Sequence, residues 1–257
     1  QDGYSCAFNA SGSVTFTQRT LTTYAIKFQD TICIRTLEAY WTQLLLKKGQ
    51  NYTESDIPAK IMDNLIGGIK QRLETADWQG DTTSVSSYLN RYDGLIKIIN
   101  NASGVVTATA STYNSTNART IVANIVNNIP AQLKGNPAIK IYMGYDAAEI
   151  YRQKLMNDNL YHVPAGSSDQ EGMYAEGSVH QIVPVHGLDG LYSTSGQSCI
   201  FALDIANNAF LGCDMLNEEE DALMGLDQYK ENVWYSFRFR RGWQVAYPTE
   251  IVKYANS

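Results

Sequence analysis

The clearest periodic signal lies between residues 54 and 78, "ESDIPAKIMDNLIGGIKQRLETADW". Ile61, Met62, Leu65, Ile66, Ile69, Leu73 and Ala76 recur at steps of three and four, while Lys60, Asp63, Asn64, Lys70, Gln71 and Glu74 take the other side. This spacing predicts one amphipathic helix with a single apolar stripe. Ser55 or Asp56 supplies its N-cap, Pro58 suits its first turn, and Gly80-Asp81 ends it. Gly67-Gly68 falls in the middle of this helix and leaves two readings open: a bending point, or a place where a sheet approaches closely.

Two stretches alternate with period two instead. In "SVTFTQRTLTTYAIKF" (Ser13 to Phe28), Val14, Phe16, Gln18 and Thr20 share one parity and Thr15, Thr17 and Arg19 the other. The stretch is rich in threonine and polar on both faces. It predicts an extended β arm that packs on something outside its own core, the duller alternative being an edge strand. Near the C-terminus, Val233, Tyr235, Phe237 and Phe239 alternate with Trp234, Ser236, Arg238 and Arg240. That pattern predicts a strand with an aromatic inner face and an arginine outer face, ended by a turn or bulge at Gly242. The outer arginines have three possible fates: water, phosphate, or acidic groups of a neighbouring chain.

Between these landmarks the pattern is more broken. A loop follows Gly80 and leads to the apolar "GLIKII" and then to the irregular "ASGVVTATASTYNSTN". Residues 118 to 133 predict a helix interrupted at Pro130, "AIKIYMG" a buried strand, and Asp146 a cap for the helix "AAEIYRQKLM", with Glu149 three residues on. Pro164 to Ser178 reads as a loop, "HQIVPVHG" and "SCIFALD" as strands, and "NEEED" (Asn217 to Asp221) as a solvated turn.

Charge and chemistry narrow the function. The 257 residues carry 20 Lys+Arg against 26 Asp+Glu, a net charge of −6, the wrong sign for affinity built on neutralising phosphates. No apolar run approaches the roughly 20 residues that span a bilayer, and the N-terminus does not read as a signal peptide. Cys6, Cys33, Cys199 and Cys213 are too few and too scattered for a disulfide framework and are expected to be reduced, mostly buried thiols. His162, His180 and His186 have no ligand partner at zinc spacing. The sequons at Asn9, Asn51, Asn101 and Asn114 are expected by chance in a chain rich in Asn, Ser and Thr. Glu74 and Asp77 form an acid pair expected on a helix surface. No nucleophile elbow, phosphate loop, zinc-protease or dinucleotide motif occurs. The sequence therefore offers no catalytic residue, metal ligand or cofactor site.

The order of these elements resembles the major capsid proteins of tailed double-stranded-DNA bacteriophages, the Hong Kong 97 type. The Thr-rich arm followed by "QDTICIRTL" and a long helix ending "LETADWQGD" is similar to the family's extended loop, spine helix and Gly-Asp loop. "RYDGLIKIIN" is similar to the strand or turn that follows. "NARTIVANIVNNIPAQL" leading to "AIKIYMGYDAAEIYRQKL" resembles the apical domain, and "ENVWYSFRFRRGWQVAYPTEIVKY" the last peripheral-domain strands. The family's N-terminal arm and the first half of its extended loop have no counterpart, which fits a subunit whose leading segment is removed or disordered.

The resemblance implies an α+β fold. Residues 1–30 would form the incomplete arm, 31–115 the first part of a peripheral domain with its spine helix at about 56–77, 116–228 an apical domain, and 229–257 the second peripheral part. It implies a structural, non-enzymatic subunit that self-assembles through pentamers and hexamers into an icosahedral virion shell in the host bacterial cytoplasm. Portal, scaffold or decoration proteins would be further partners, the packaged DNA would be touched only non-specifically, and no membrane would be involved. Thr15, Thr17, Arg19, Arg238 and Arg240 are the candidate interface residues. The alternatives are the shell of a cellular encapsulating compartment with the same fold, or a secreted, glycosylated adhesin or hydrolase.

Overall fold

The computed structural model describes residues 18–33, 56–158, 173–213, 222–227, 229–230 and 232–257. The arm residues Thr15 and Thr17, the thiol of Cys6, His162, the sequons at Asn9 and Asn51, and the acidic run Asn217 to Asp221 lie outside them.

Helix α1 (Asp56–Gln79) runs uninterrupted through both mid-helix glycines, a rod of about 36 Å at 1.5 Å per residue. Its expected stripe is real: Ile69, Leu73 and Ala76 are buried, and Leu65 and Ile66 pack partly buried beside them. The stripe lies on the inner face of a four-stranded sheet, against Tyr235, Phe237, Phe239 and Ile26. A Cβ on Gly67 or Gly68 would meet nothing within 4 Å. The close-contact reading of that pair is thus overturned.

That sheet is built around β8 (Asn232–Val245), whose expected alternation holds except at Ser236: Tyr235, Phe237 and Phe239 are buried and Trp234, Arg238 and Arg240 exposed, but Ser236, expected on the outer face, is buried too. Strand β1 (Tyr24–Cys33) pairs with it antiparallel, from Tyr24↔Arg241 to Cys33↔Asn232. β7 (Ala222–Asp227) pairs with its first half and β6 (Ala209–Gly212) with its last four residues. Two expectations fail here. The stretch from Tyr24 to Phe28 is not an arm without a core of its own, because Ile26 is buried and Phe28 stacks on Phe239 with ring centroids 5.9 Å apart. Gly242 is not a turn or bulge that ends the strand. It lies inside β8, paired with Gly212 of β6, and a Cβ there would sit 2.1 Å from the carbonyl oxygen of Thr22, so the close approach of that segment requires glycine.

A second sheet has the order β2–β9–β5–β3–β4. It comprises β2 (Val106–Thr107), β3 (Lys140–Met143), β4 (Ile182–Pro184), β5 (Ser198–Leu203) and β9 (Val252–Ala255). All six residues of β5 are buried, as expected of a strand covered on both faces. Ile200 and Ala202 meet the apolar sides of α3 (Ala118–Asn128) and α4 (Tyr145–Asn157), while Phe201 and Leu203 meet Trp78, Leu95 and Ile99. The sheets do not follow the expected division. β2 and β9, assigned to the peripheral parts, hydrogen-bond into the sheet of β3, β4 and β5. β6 and β7, assigned to the apical part, belong to β8.

Two local expectations also change. "LIKIINN" is neither strand nor turn but a short helix, α2 (Leu95–Asn101), which buries Leu95, Ile96 and Ile99 on one side. Asp146 is not the cap of α4. Gly144 holds that place, and Asp189, distant in sequence, accepts from the Tyr145 amide (2.6 Å) while Asp146 accepts from the Gly190 amide (2.7 Å). The two carboxylates thus fasten the helix start to the segment after β4.

Of the described thiols only Cys199 is buried; Cys33 and Cys213 are exposed, contrary to the expectation of mostly buried cysteines. Burial pushes the Cys199 thiol up to about 12, so almost none of it is thiolate at neutral pH. Alkylation of the native protein should label Cys213 and spare Cys199, which reacts only after denaturation. Equal labelling rates, read by peptide mass, would contradict the closed packing of β5.

Candidate assembly surface

The outer face of β1 and β8 carries the expected basic row. Lys27 stands directly opposite Arg238, and Ala25 opposite Arg240. Arg19 lies exposed in the chain leading to β1. On the same face of β8, Trp234 covers Gly225 of β7, where a Cβ would come within 2.5 Å of the indole. Leu223 beside it is 62% exposed. Sequence reading did not single out the cleft on the other side of β1, a cavity of about 190 Å³ floored by Ile26, Phe28 and Leu73 and lined by Lys27, Arg72 and Arg91. Arg72 sits at the edge of the α1 stripe, three residues after Ile69, and Arg91 ends a short 3-10 turn (Leu89–Arg91), so only the fold brings them together.

The third arginine of the row goes elsewhere. Arg241 turns inward and grips Asp77 of α1 with two parallel bonds, Nε to Oδ1 at 2.8 Å and Nη2 to Oδ2 at 2.7 Å. Tyr92 Oη and Trp243 Nε1 donate to the same Oδ1, each at 2.7 Å. Asp77 is therefore not a surface acid, as the sequence suggested, but a 7% exposed carboxylate with four donors. Such a forked, fully satisfied pair fixes both distance and angle, so this one sets how α1 lies on β8. Glu74 departs from the expected surface pair too, accepting from the His186 amide at 2.9 Å.

Past α1, the segment 80–94 closes on itself. Gly94 donates its amide to the Gly80 carbonyl (2.8 Å). Lys97 reaches both Asp81 (2.7 Å) and Asp93 (2.8 Å), and Thr82 and Thr83 donate to the same two carboxylates. The Lys97 bond, helped by Thr83, holds Asp81 down at about 2. A carboxylate with a lowered folded pKa stabilises above its ordinary range near 3.8, and that contribution is lost as the pH falls through the folded value. Asp81 is well exposed, so solvent screens the pair and the effect is small. The stability difference between the native chain and Lys97→Met should be present at pH 7 and vanish toward pH 2. Urea midpoints that differ equally at both pH values would contradict it.

The histidines have structural surroundings. His180 is buried with Nδ1 3.0 Å from the Ile139 carbonyl, and His186 stacks on Tyr145 and pairs with Asp189 at 2.8 Å. Among the described residues no group of three or more His, Cys, Asp or Glu is placed to hold a metal ion, and no helix is long and apolar enough to cross a membrane.

No protein-family model matches the chain, and no curated protein matches its sequence. Solved structures do match in shape. The subunit of the satellite phage P4 procapsid, solved with its size determination protein, superposes with a TM-score of 0.62 at 11% identity, over 100% of this chain and 77% of that one. The capsid subunit of a native GTA particle gives 0.59 at 15% identity, over 100% and 81%. The Gordonia phage Cozz subunit gives 0.56 at 12% identity, over 98% and 79%. At such identities the likeness speaks to architecture, and across its whole length this chain has the mixed helix-and-sheet capsid fold of the Hong Kong 97 type.

Proposed function

We propose that this chain is a structural shell subunit, a major capsid protein whose copies tile a closed icosahedral shell around the double-stranded DNA of a phage. The observation that carries the reading is the superposition of the entire chain on capsid subunits. Tiling needs heterologous contacts that close into rings, and no reacting centre. Exposed apolar side chains such as Leu223, Phe210 and Tyr247 suit a subunit whose surface is covered by neighbours. The contacts are proposed on the outer face of β1 and β8, with Arg238 and Arg240, and on the approach to β1, with Thr15, Thr17 and Arg19. A net charge of −6 is compatible with confining DNA through non-specific contact. Portal, scaffold and decoration proteins are the further partners of such a shell, the virion is its place, and its assembly belongs to the host cytoplasm.

The full-length protein expressed alone, or with its scaffold, should give closed particles of uniform size by electron microscopy. A protein that stays monomeric in both settings would overturn the reading.

A further inference from the structure

Three cations from three separate elements converge on the cleft between β1 and α1: Lys27 of β1, Arg72 of α1, and Arg91 at the end of the Leu89–Arg91 turn. The chain as a whole is acidic, with 26 Asp+Glu against 20 Lys+Arg, so this gathering runs against its own net charge. Among the described residues, no acid lines the cavity. The acids nearest to these cations in sequence are engaged elsewhere. Glu74 accepts from the His186 amide, Asp77 is taken up by Arg241, Tyr92 and Trp243, and Asp93 is held by Lys97. Asp30, the one acid of β1, shares a separate cavity with Arg72. There it accepts from the Thr31 amide at 2.8 Å and lies beside the Tyr235 hydroxyl.

The floor has the opposite character. Ile26 and Leu73 are buried and Phe28 partly so, and the cavity of about 190 Å³ is the size of a side chain or two. Cations around an apolar floor suit a segment in which an apolar side chain lies next to carboxylates. The floor takes apolar surface out of water, and the guanidinium forks fix the carboxylates. Tyr88 on the Arg91 wall is 43% exposed, and exposed tyrosine beside arginine is typical of surfaces that meet a partner. We propose that this cleft docks an acidic segment of a second copy of the chain, with an apolar side chain on the floor and carboxylates held by Lys27, Arg72 and Arg91. The docking deepens the shell reading and rests on it. Charge names the occupant, because a neighbouring copy carries the same excess of acids. Position names it too, because Lys27 belongs both to the cleft and to the row opposite Arg238 on the face proposed for assembly. A cleft on one copy that receives acids from another is the heterologous contact that tiling requires. A nucleic-acid backbone would use the cations and leave the apolar floor wet.

A water-soluble carbodiimide tests the contact, since it joins the Lys27 amine to a carboxylate only where the two touch. Ordinary and heavy-isotope-labelled full-length chains are mixed before assembly, treated, and mapped by peptide mass. Lys27 should be joined to Asp or Glu in peptide pairs with one ordinary and one heavy member, which only two different chains can give. Arg72→Gln/Arg91→Gln should lower the yield of these mixed pairs at least about tenfold. Its melting should stay close to native, because both side chains are exposed. Unmixed pairs alone would place the acid in the same subunit and overturn the proposal. So would assembled particles without a Lys27 link, or a yield indifferent to the two arginines.

Particle yield gives a second readout. Lys27→Arg keeps the charge but forms no amide, so particles should persist while the link disappears. Lys27→Glu/Arg91→Glu sets anion against anion and should cut the yield of particles at least about tenfold. An unchanged yield would overturn the proposal. Binding of a short DNA duplex that depends on the same three cations, with no mixed pair formed, would make nucleic acid the occupant and overturn it as well. The two readings fail separately. Closed particles without the mixed pair leave the shell reading standing and remove the docking. Mixed pairs in small oligomers that never close leave the docking standing and remove the shell, and a chain that gives neither loses both.

Discussion

Asp77→Ala should lower the stability of the subunit by about 3–5 kcal/mol, the cost of leaving one member of a buried ion pair without its partner. The loss is larger than the Arg241 fork alone, because Tyr92 Oη and Trp243 Nε1 lose their acceptor in the same step. A graded set separates these contributions. Tyr92→Phe removes one neutral donor and should cost about 1 kcal/mol. Asp77→Asn keeps an oxygen in the Oδ1 position but removes the charge and the second guanidinium acceptor, and should fall between the two. Arg241→Met leaves the carboxylate charged and buried with two neutral donors, and should resemble Asp77→Ala. Urea unfolding of the four variants tests the order. An Asp77→Ala variant within about 0.5 kcal/mol of the native chain would place the carboxylate in solvent and remove it as the link between α1 and β8.

This network marks the boundary of what the sequence reveals. The stripe of α1 and the alternation of β8 are legible because each is a local period, and the apolar half of each is buried where the period puts it. Asp77 falls at a position that could be either edge of the stripe, and its partner Arg241 lies 164 residues away. No local rule distinguishes Arg241 from Arg238 and Arg240 until the strand's pairing is known. β1 is obscured for a related reason. Ile26, Phe28 and Ile32 share a parity, but Asp30 interrupts it and the threonine-rich stretch before it dominates the pattern. α2 is too short for its period to register, since seven residues make barely two turns. The order of elements, by contrast, survives every one of these local errors. That is why a resemblance resting on order led to the right fold, even though strands from either side of its expected domain boundaries share a sheet.

The other large effect should come from Gly94→Ala. The end of α1 and the start of α2 cross at two glycines. A Cβ on Gly94 would lie 2.7 Å from the Gly80 amide nitrogen, 2.7 Å from the Trp78 carbonyl oxygen and 2.8 Å from that of Ala76. All three are backbone atoms, which no rotamer change can move. Relief requires α2 to withdraw, and α2 carries Leu95, Ile96 and Ile99, which fill the space between Trp78 and β5. Overpacking of this kind typically costs about 1–3 kcal/mol where side chains yield. Rigid backbone on every side puts Gly94→Ala at or above the top of that range. Gly80→Ala meets the same crossing from the other side, 2.5 Å from the Ala76 carbonyl oxygen, and should behave alike. The mid-helix pair supplies the contrast. Gly67→Ala or Gly68→Ala adds a methyl group into open space within a helix, where alanine is favoured by about 1 kcal/mol. Thermal melting should therefore fall sharply for changes at the crossing and rise for changes in the helix. Equal shifts at the two places would mean that the α1–α2 crossing is looser than its backbone contacts imply, and that Gly80 and Gly94 are turn residues alone.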